Sequence, residues 1–287
     1  MFERFSERMS TGWELAKQSF QVLKLDKELM VFPICSMIAL LVVMATFAVP
    51  LFVAGVFTAP SGDSQSGTGL QILMYAVFFL FYFVSYFVIF FFNSALVGCA
   101  IIRLKGGDPV VSDGFGAAMA RLPQIAAWSL VAASVGMILK LIESRSQQLG
   151  ALIANLIGMA WSITTFFVVP VLVVEKAGPI HAIKRSASMI KQTWGESLTA
   201  NFGIGIITFL CCLLGFLPVV GGIMLLGTSV LAGVLLIGLG VIWILLVSLV
   251  SSALQTIVLA ALYIYAAEGT MPAQFDSNAI QHAFAKK

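Results

Sequence analysis

LQILMYAVFFLFYFVSYFVIFFFNSALVGCAII, residues 70–102, runs for 33 residues without an Asp, Glu, Lys, Arg or His. A helix needs about 20 predominantly apolar residues to cross a hydrocarbon core of about 30 Å. At about 1.5 Å per residue this one would be about 50 Å long, so it must tilt, kink or protrude. A rod that is apolar on every side has to be covered all round by lipid or by other helices. The chain therefore reads as an integral membrane protein, and the rest of the sequence decides how often it crosses.

Composition points the same way. The chain has 287 residues, 60% apolar and 10% charged, with mean hydropathy +1.03, against about 25% charged in an ordinary soluble domain. The four cysteines, Cys35, Cys99, Cys211 and Cys212, all sit inside apolar runs. Their spacing fits neither a disulfide framework nor a zinc site, so they read as small buried hydrophobes. The first 28 residues are charged, and no small-residue cleavage site follows the first apolar run. Insertion by the first span itself is the expectation.

Working outward, residues 1–28 carry Phe2, Phe5, Met9, Trp13, Ala16, Phe20 and Leu23 at steps of three or four, with Arg4, Arg8, Lys17 and Lys24 on the remaining surface. That is an amphipathic helix, expected along the headgroup boundary with its apolar face down. Residues 29–287 form the transmembrane domain, with predicted spans over 30–57, 70–102, 125–141, 149–174, 198–217 and 239–266. Residues 58–69, TAPSGDSQSGTG, are a turn-rich polar loop. Shorter amphipathic helices are predicted at 112–122 and 179–194, the second opened by Pro179, whose missing N–H is harmless in a first turn. Pro218, Gly221 and Gly222 interrupt the last apolar region, so 218–238 reads as an irregular or re-entrant segment. The fold class is all-α, a polytopic helix bundle of about six spans.

Charge sets the topology, because Lys and Arg accumulate in cytoplasmic segments. Of the 16 Lys and Arg, only Lys140 and Arg145 flank the turn between spans three and four. With six spans and both termini cytoplasmic, the other fourteen share one compartment; a seventh span would export Lys286 and Lys287.

A repeat is also visible. Ala16-Lys17-Gln18-Ser19 through Lys24 can be laid over Ile183-Lys184-Arg185-Ser186 through Lys191, and each stretch precedes a membrane hairpin. The second, fourth and sixth spans exit through Gly107-Asp108-Pro109, Gly178-Pro179 and Gly269-Thr270-Met271-Pro272. The pattern suggests three units of surface helix plus hairpin.

TGWELAKQSFQVLKLDKELMVFP at 11–33, the run from TFFVVPVLVVE to GPIHAIKRSASMIKQTWGESL at 165–198, and SSAL to ALYIYAAEGTMPAQFD at 251–276 together resemble a widespread bacterial family of six-span membrane proteins classed as a domain of unknown function. The layout is also similar to the membrane domains that accompany some glycerophosphodiesterases, without any phosphodiesterase portion. The resemblance implies a bacterial cytoplasmic (inner) membrane location and no particular activity.

The residues offer little chemistry. The predicted span cores hold no ionisable group, and such groups normally mark an intramembrane site. His181 and His282 are isolated, and there is no His-Glu-x-x-His, phosphate-binding Gly loop or Cys pair at ligand spacing. A non-enzymatic protein without cofactor or metal is expected. Asn93, Asn155, Asn201, Ser252, Gln255 and Thr256 are the candidates for a polar interior or route, with Ser252, Gln255 and Thr256 at i, i+3 and i+4 on one face expected to be interior. Lys184, Arg185, Lys191 and Trp194 are the candidates for contact with an anionic lipid or a partner. The function expected first is a scaffold or accessory subunit that contacts lipid and another membrane protein or a second copy, with no nucleic acid. The alternative is a passive or weakly coupled transporter of a small or amphipathic substrate. A cavity lined by Asn93, Asn155 or Gln255 would favour transport, and an apolar groove would favour the scaffold.

Overall fold

The computed structural model describes the backbone of residues 2–53, 68–145, 149–192, 196–272 and 274–275, with side chains over 13–50, 72–144, 150–191, 204–272 and 274–275. Residues 58–67 of the polar loop, Trp194, His282, Lys286 and Lys287 lie outside the described residues, as does the side chain of Asn201. Among the described residues there is no strand. The helices are α1 (Phe2–Leu25), α2 (Val31–Val53), α3 (Thr68–Leu104), α4 (Val111–Met119), α5 (Leu122–Arg145), α6 (Leu149–Thr164), α7 (Val168–Val174), α8 (Pro179–Gln192), α9 (Glu196–Leu225) and α10 (Val230–Glu268), with a 3-10 turn at Lys27–Met30. Among the described residues six segments are long and apolar enough to cross a membrane: α2 with its preceding turn, α3, α5, α6 with α7, α9 and α10. The fold is an all-α membrane helix bundle.

Two spans differ from their sequence reading. The 149–174 span is broken: Phe166 N–H turns back to the carbonyl of Ile163, and Val168 N–H to that of Thr165. The cause is Pro170, which lacks the N–H that a continuous helix would need and sits instead in the first turn of α7, where none is required. The larger correction concerns 218–238, which is neither irregular nor re-entrant. α9 runs through Pro218 to Leu225, a tight turn follows, and α10 starts at Val230. The glycines that read as breakers are contact points. A Cβ on Gly222 would lie 2.7 Å from the carbonyl oxygen of Gly233, and one on Gly240 2.6 Å from that of Gly215. Small residues let two membrane helices approach backbone to backbone, and the seven-residue spacing of 215/222 and of 233/240 keeps each set on one face. The carbonyl of Leu225 then takes the N–H groups of Thr228 and Ser229, which closes the helix end.

The backbone divides into two compact units. The first comprises Met1–Pro33, Cys99–Val111 and Met189–Lys287. Here α1 packs on α9 and α10 through Leu15, Ala16, Ser19 and Val22, whereas Trp13 and Phe20 of the predicted stripe are exposed. The buried face overlaps the stripe at Ala16 and Leu23 and extends beside it through Leu15, Ser19 and Val22. Asp26, 7% exposed, accepts two hydrogen bonds from the Arg103 guanidinium, which also reaches Asp108. Lys105 pairs with Glu268 at 2.7 Å. These pairs join the end of α1, the exit of α3 and the exit of α10. The turn after α3 needs its two glycines: Gly106 has φ +86°, and a Cβ on Gly107 would meet Ile102 at 2.7 Å.

The second unit comprises Ile34–Gly98 and Ser112–Ser188. Its core holds Ala95–Val97 of α3, Ala118 of α4, Trp128 and Ala132 of α5, Phe167 and Val171 beside the break, and Ala182 of α8. Phe167 N–H, freed where the helix breaks, donates to Ser186 Oγ at 3.0 Å. Ser19 and Ser186, matched in the repeat, are both fully buried. Only Ser186 has a partner; the Ser19 hydroxyl has none among the described residues.

Candidate binding cavity

The second unit contains a cavity of about 660 Å³ between α3, α5 and α6, within the range of about 300–1,000 Å³ usual for small-molecule sites. One wall comes from α3. Tyr82, Tyr86 and Phe90 recur every four residues and therefore stack along one helix face, with centroids 6.3 and 5.8 Å apart. The opposite wall is a pair of indoles, Trp128 of α5 on Trp161 of α6, at 5.7 Å and 13°. Phe90 meets Trp128 at 5.8 Å and joins the two walls. Gly136 leaves room for the Tyr86 phenol, since a Cβ there would stand 3.4 Å from Tyr86 Oη.

Polar groups are graded along the cavity. At the α5–α6 end Lys140 Nζ and Glu143 Oε2 are paired at 2.9 Å, both substantially exposed. Asn155 and Ser162 line the α6 side. Thr165 donates to the carbonyl of Trp161 at 2.8 Å and so presents its methyl group rather than a free hydroxyl hydrogen. Trp128 is 2% exposed, and its Nε1–H has no acceptor among the described residues. Ser94 Oγ and Gln124 Oε1 are likewise buried without partners. Ser94 lies one helical turn beyond Phe90, and Gln124 one turn before Trp128, but of the three only Trp128 lines the cavity.

The first unit has a different opening, a groove of about 320 Å³ against Ala16, Ile204, Cys211, Trp243 and Leu254. Its polar groups are spent on one another. Trp243 Nε1 donates to the carbonyl of Cys211 at 2.9 Å, Thr208 and Ser251 share a 2.6 Å bond, and Gln255 donates to Ser251 at 3.1 Å.

The sequence candidates therefore scatter. Asn155 lines the cavity. Asn93 is half-buried on α3 and does not line it, and Asn201 belongs to α9. The shared face of Ser252, Gln255 and Thr256 is not interior throughout: Ser252 is exposed, while Thr256 is buried and bonds back to the carbonyl of Ser252 within α10. The interior serine is Ser251, because Gln255 and Thr208 both turn to it. Of the basic set, Lys184 and Lys191 are exposed, but Arg185 is engaged, with its Nε 2.9 Å from Glu175. The residues that sequence reasoning missed are the aromatic wall and the Lys140–Glu143 rim. The four-residue spacing of Tyr82, Tyr86 and Phe90 was a signal, hidden because nearly every neighbour in that run is aromatic as well. Among the described residues no group of three His, Cys, Asp or Glu side chains comes together.

No curated protein and no solved structure matches the chain. A family model does match, over residues 72–273, which hold both units' spans from α3 onward and every residue of the cavity. On that match the chain belongs to a family of unknown function, DUF6159.

Proposed function

We propose that this is a non-enzymatic membrane protein that lodges an amphipathic molecule, taken from the lipid phase, in the cavity between α3, α5 and α6. Its setting is the bacterial inner membrane, with both termini on the cytoplasmic side where most Lys and Arg gather. A passive carrier or transporter of an amphiphile is the reading favoured over a purely structural subunit. The observation that carries it is the cavity itself: about 660 Å³, lined in part by Asn155, with aromatic walls and a charge-matched rim. A site that grades from charged to apolar along its length suits a molecule that does the same. The test is to purify the full chain in mild detergent and analyse co-purifying small molecules by mass spectrometry. An amphiphile should be retained by the natural protein and lost from Gly158→Leu, which fills the cavity from α6. Equal retention by both proteins would refute the reading.

A second reading rests on the first unit's groove. Its lining polar groups are internally bonded, so it offers a dry surface to an acyl chain or to an apolar helix of another membrane protein or a second copy. Val247→Trp would obstruct this groove, and a scaffold role predicts that it removes a stoichiometric crosslinked partner that Gly158→Leu retains. For orientation, single cysteines at Ser112 and Ser188 should label from the same side of the membrane.

A further inference from the structure

From the same cavity, and resting on the reading of it as an amphiphile site, we infer that its ligand carries an uncharged, flat conjugated head bearing hydrogen-bond acceptors: the chemistry of a quinone-type ring on an apolar tail. Four observations converge on this class. The walls are rings at stacking separation, Tyr82, Tyr86 and Phe90 on one side and Trp128 with Trp161 on the other, and flat conjugated groups gain from offset or edge contacts with such walls. The charges described in the lining, Lys140 and Glu143, pair with each other at 2.9 Å, so among the described residues no unmatched charge awaits an ionic head.

The lining also offers donors. Trp128 Nε1–H is a donor only, it is buried, and it has no acceptor among the described residues. The Asn155 amide and the Tyr82 and Tyr86 hydroxyls supply further N–H and O–H groups. A buried polar atom without a partner calls for a water or a ligand group to satisfy it. Finally, Asn155 and Met159 lie on the exposed face of α6, so a ligand dissolved in lipid can enter from the side, its tail remaining among acyl chains. A tail alone would use the apolar wall but leave the donors idle. A zwitterionic head would have to break the Lys140–Glu143 pair.

The full chain in phosphatidylcholine nanodiscs, titrated with decylubiquinone, tests this through tryptophan emission, because Trp128 and Trp161 would sit against the ring. Saturable quenching is expected, and Gly158→Leu should abolish the saturable part, while Val247→Phe in the other groove leaves it intact. Tyr86→Phe and Asn155→Ala, which keep the packing, should each weaken binding by about fivefold, the worth of one neutral hydrogen bond. Decanol, a tail without a ring, should fail to displace the quinone. If decanol and dodecylphosphocholine displace it as readily as the quinone itself, and Tyr86→Phe and Asn155→Ala bind normally, the ring assignment is wrong while the amphiphile site stands. If quenching rises linearly without saturation and is the same in Gly158→Leu, the ring assignment and the site both fall.

Discussion

The α9–α10 hairpin and the α3–α5–α6 cluster are built from almost equally apolar sequence, yet the first closes backbone to backbone at its glycines and leaves a groove of about 320 Å³, whereas the second surrounds a cavity of about 660 Å³. In the hairpin glycine lies against backbone, with carbonyl oxygens where any Cβ would need to be. Between α3, α5 and α6, rings stand between the backbones and hold them apart. Water does not drive membrane helices together, so their spacing follows from the size of the residues placed between them. The polar atoms differ more locally. Along the α9–α10 hairpin Trp243, Thr208, Ser251 and Gln255 find protein partners, whereas Trp128 beside the cavity does not; unpartnered polar atoms are not confined to the second unit, since Gln18, Ser19 and Gln274 of the first also lack partners among the described residues.

This contrast can be broken at several points. The largest effect is expected at Asp26→Ala, which leaves Arg103 poorly compensated. Breaking a buried ion pair costs about 3–5 kcal/mol, and the low end applies here because Asp108 remains beside the guanidinium; urea or thermal unfolding in detergent would read it. The double variant Asp26→Leu with Arg103→Met should recover most of that loss. Next comes Gly222→Leu, which forces side-chain atoms into the space of the Gly233 carbonyl and should cost about 1–3 kcal/mol by the same assay. Gly238→Ala, where a Cβ meets nothing within 4 Å, should instead stabilise α10 by about 0.5–1 kcal/mol. If Gly222→Leu proved as harmless as Gly238→Ala, the close-packed description of the hairpin would be wrong.

The matched serines provide a finer comparison. Ser186→Ala removes the buried hydroxyl that accepts from Phe167 N–H and should cost about 1–3 kcal/mol. Ser19→Ala removes a hydroxyl that already lacks a partner, and should be neutral or slightly stabilising. Comparable losses at both serines would show that Ser19 is engaged after all. The smallest effect is expected at the rim: Glu143→Gln should leave stability unchanged within error, since exposed ion pairs contribute little.

Much of this was legible along the chain. The apolar run at 70–102, the amphipathic helices at the chain start and after Pro179, and Asn155 as a polar group within a span follow from residue type and spacing, which need no knowledge of neighbours. The readings that failed depended on neighbours. Pro218 and the glycines around it looked like a break because glycine weakens a helix in isolation; a facing helix with matching glycines converts the same residues into a contact. The first helix shows the same dependence: its stripe was expected to face lipid, and Trp13 and Phe20 are exposed, but the burial of Leu15, Ser19 and Val22 where α1 packs on α9 and α10 had no sign in the spacing.

The sequence alone determined that lipid is the solvent, that the segments are helical and roughly how many there are, because hydrocarbon forces every backbone polar group to be satisfied within its own helix. It also placed the cationic residues near the ends of the spans. Only the tertiary structure decided which helix faces meet, that Asp26 receives Arg103, that Ser251 rather than Ser252 turns inward, and that a cavity forms beside Asn155. Those outcomes depend on the fit of particular side chains across space, and period and composition record nothing about what lies opposite.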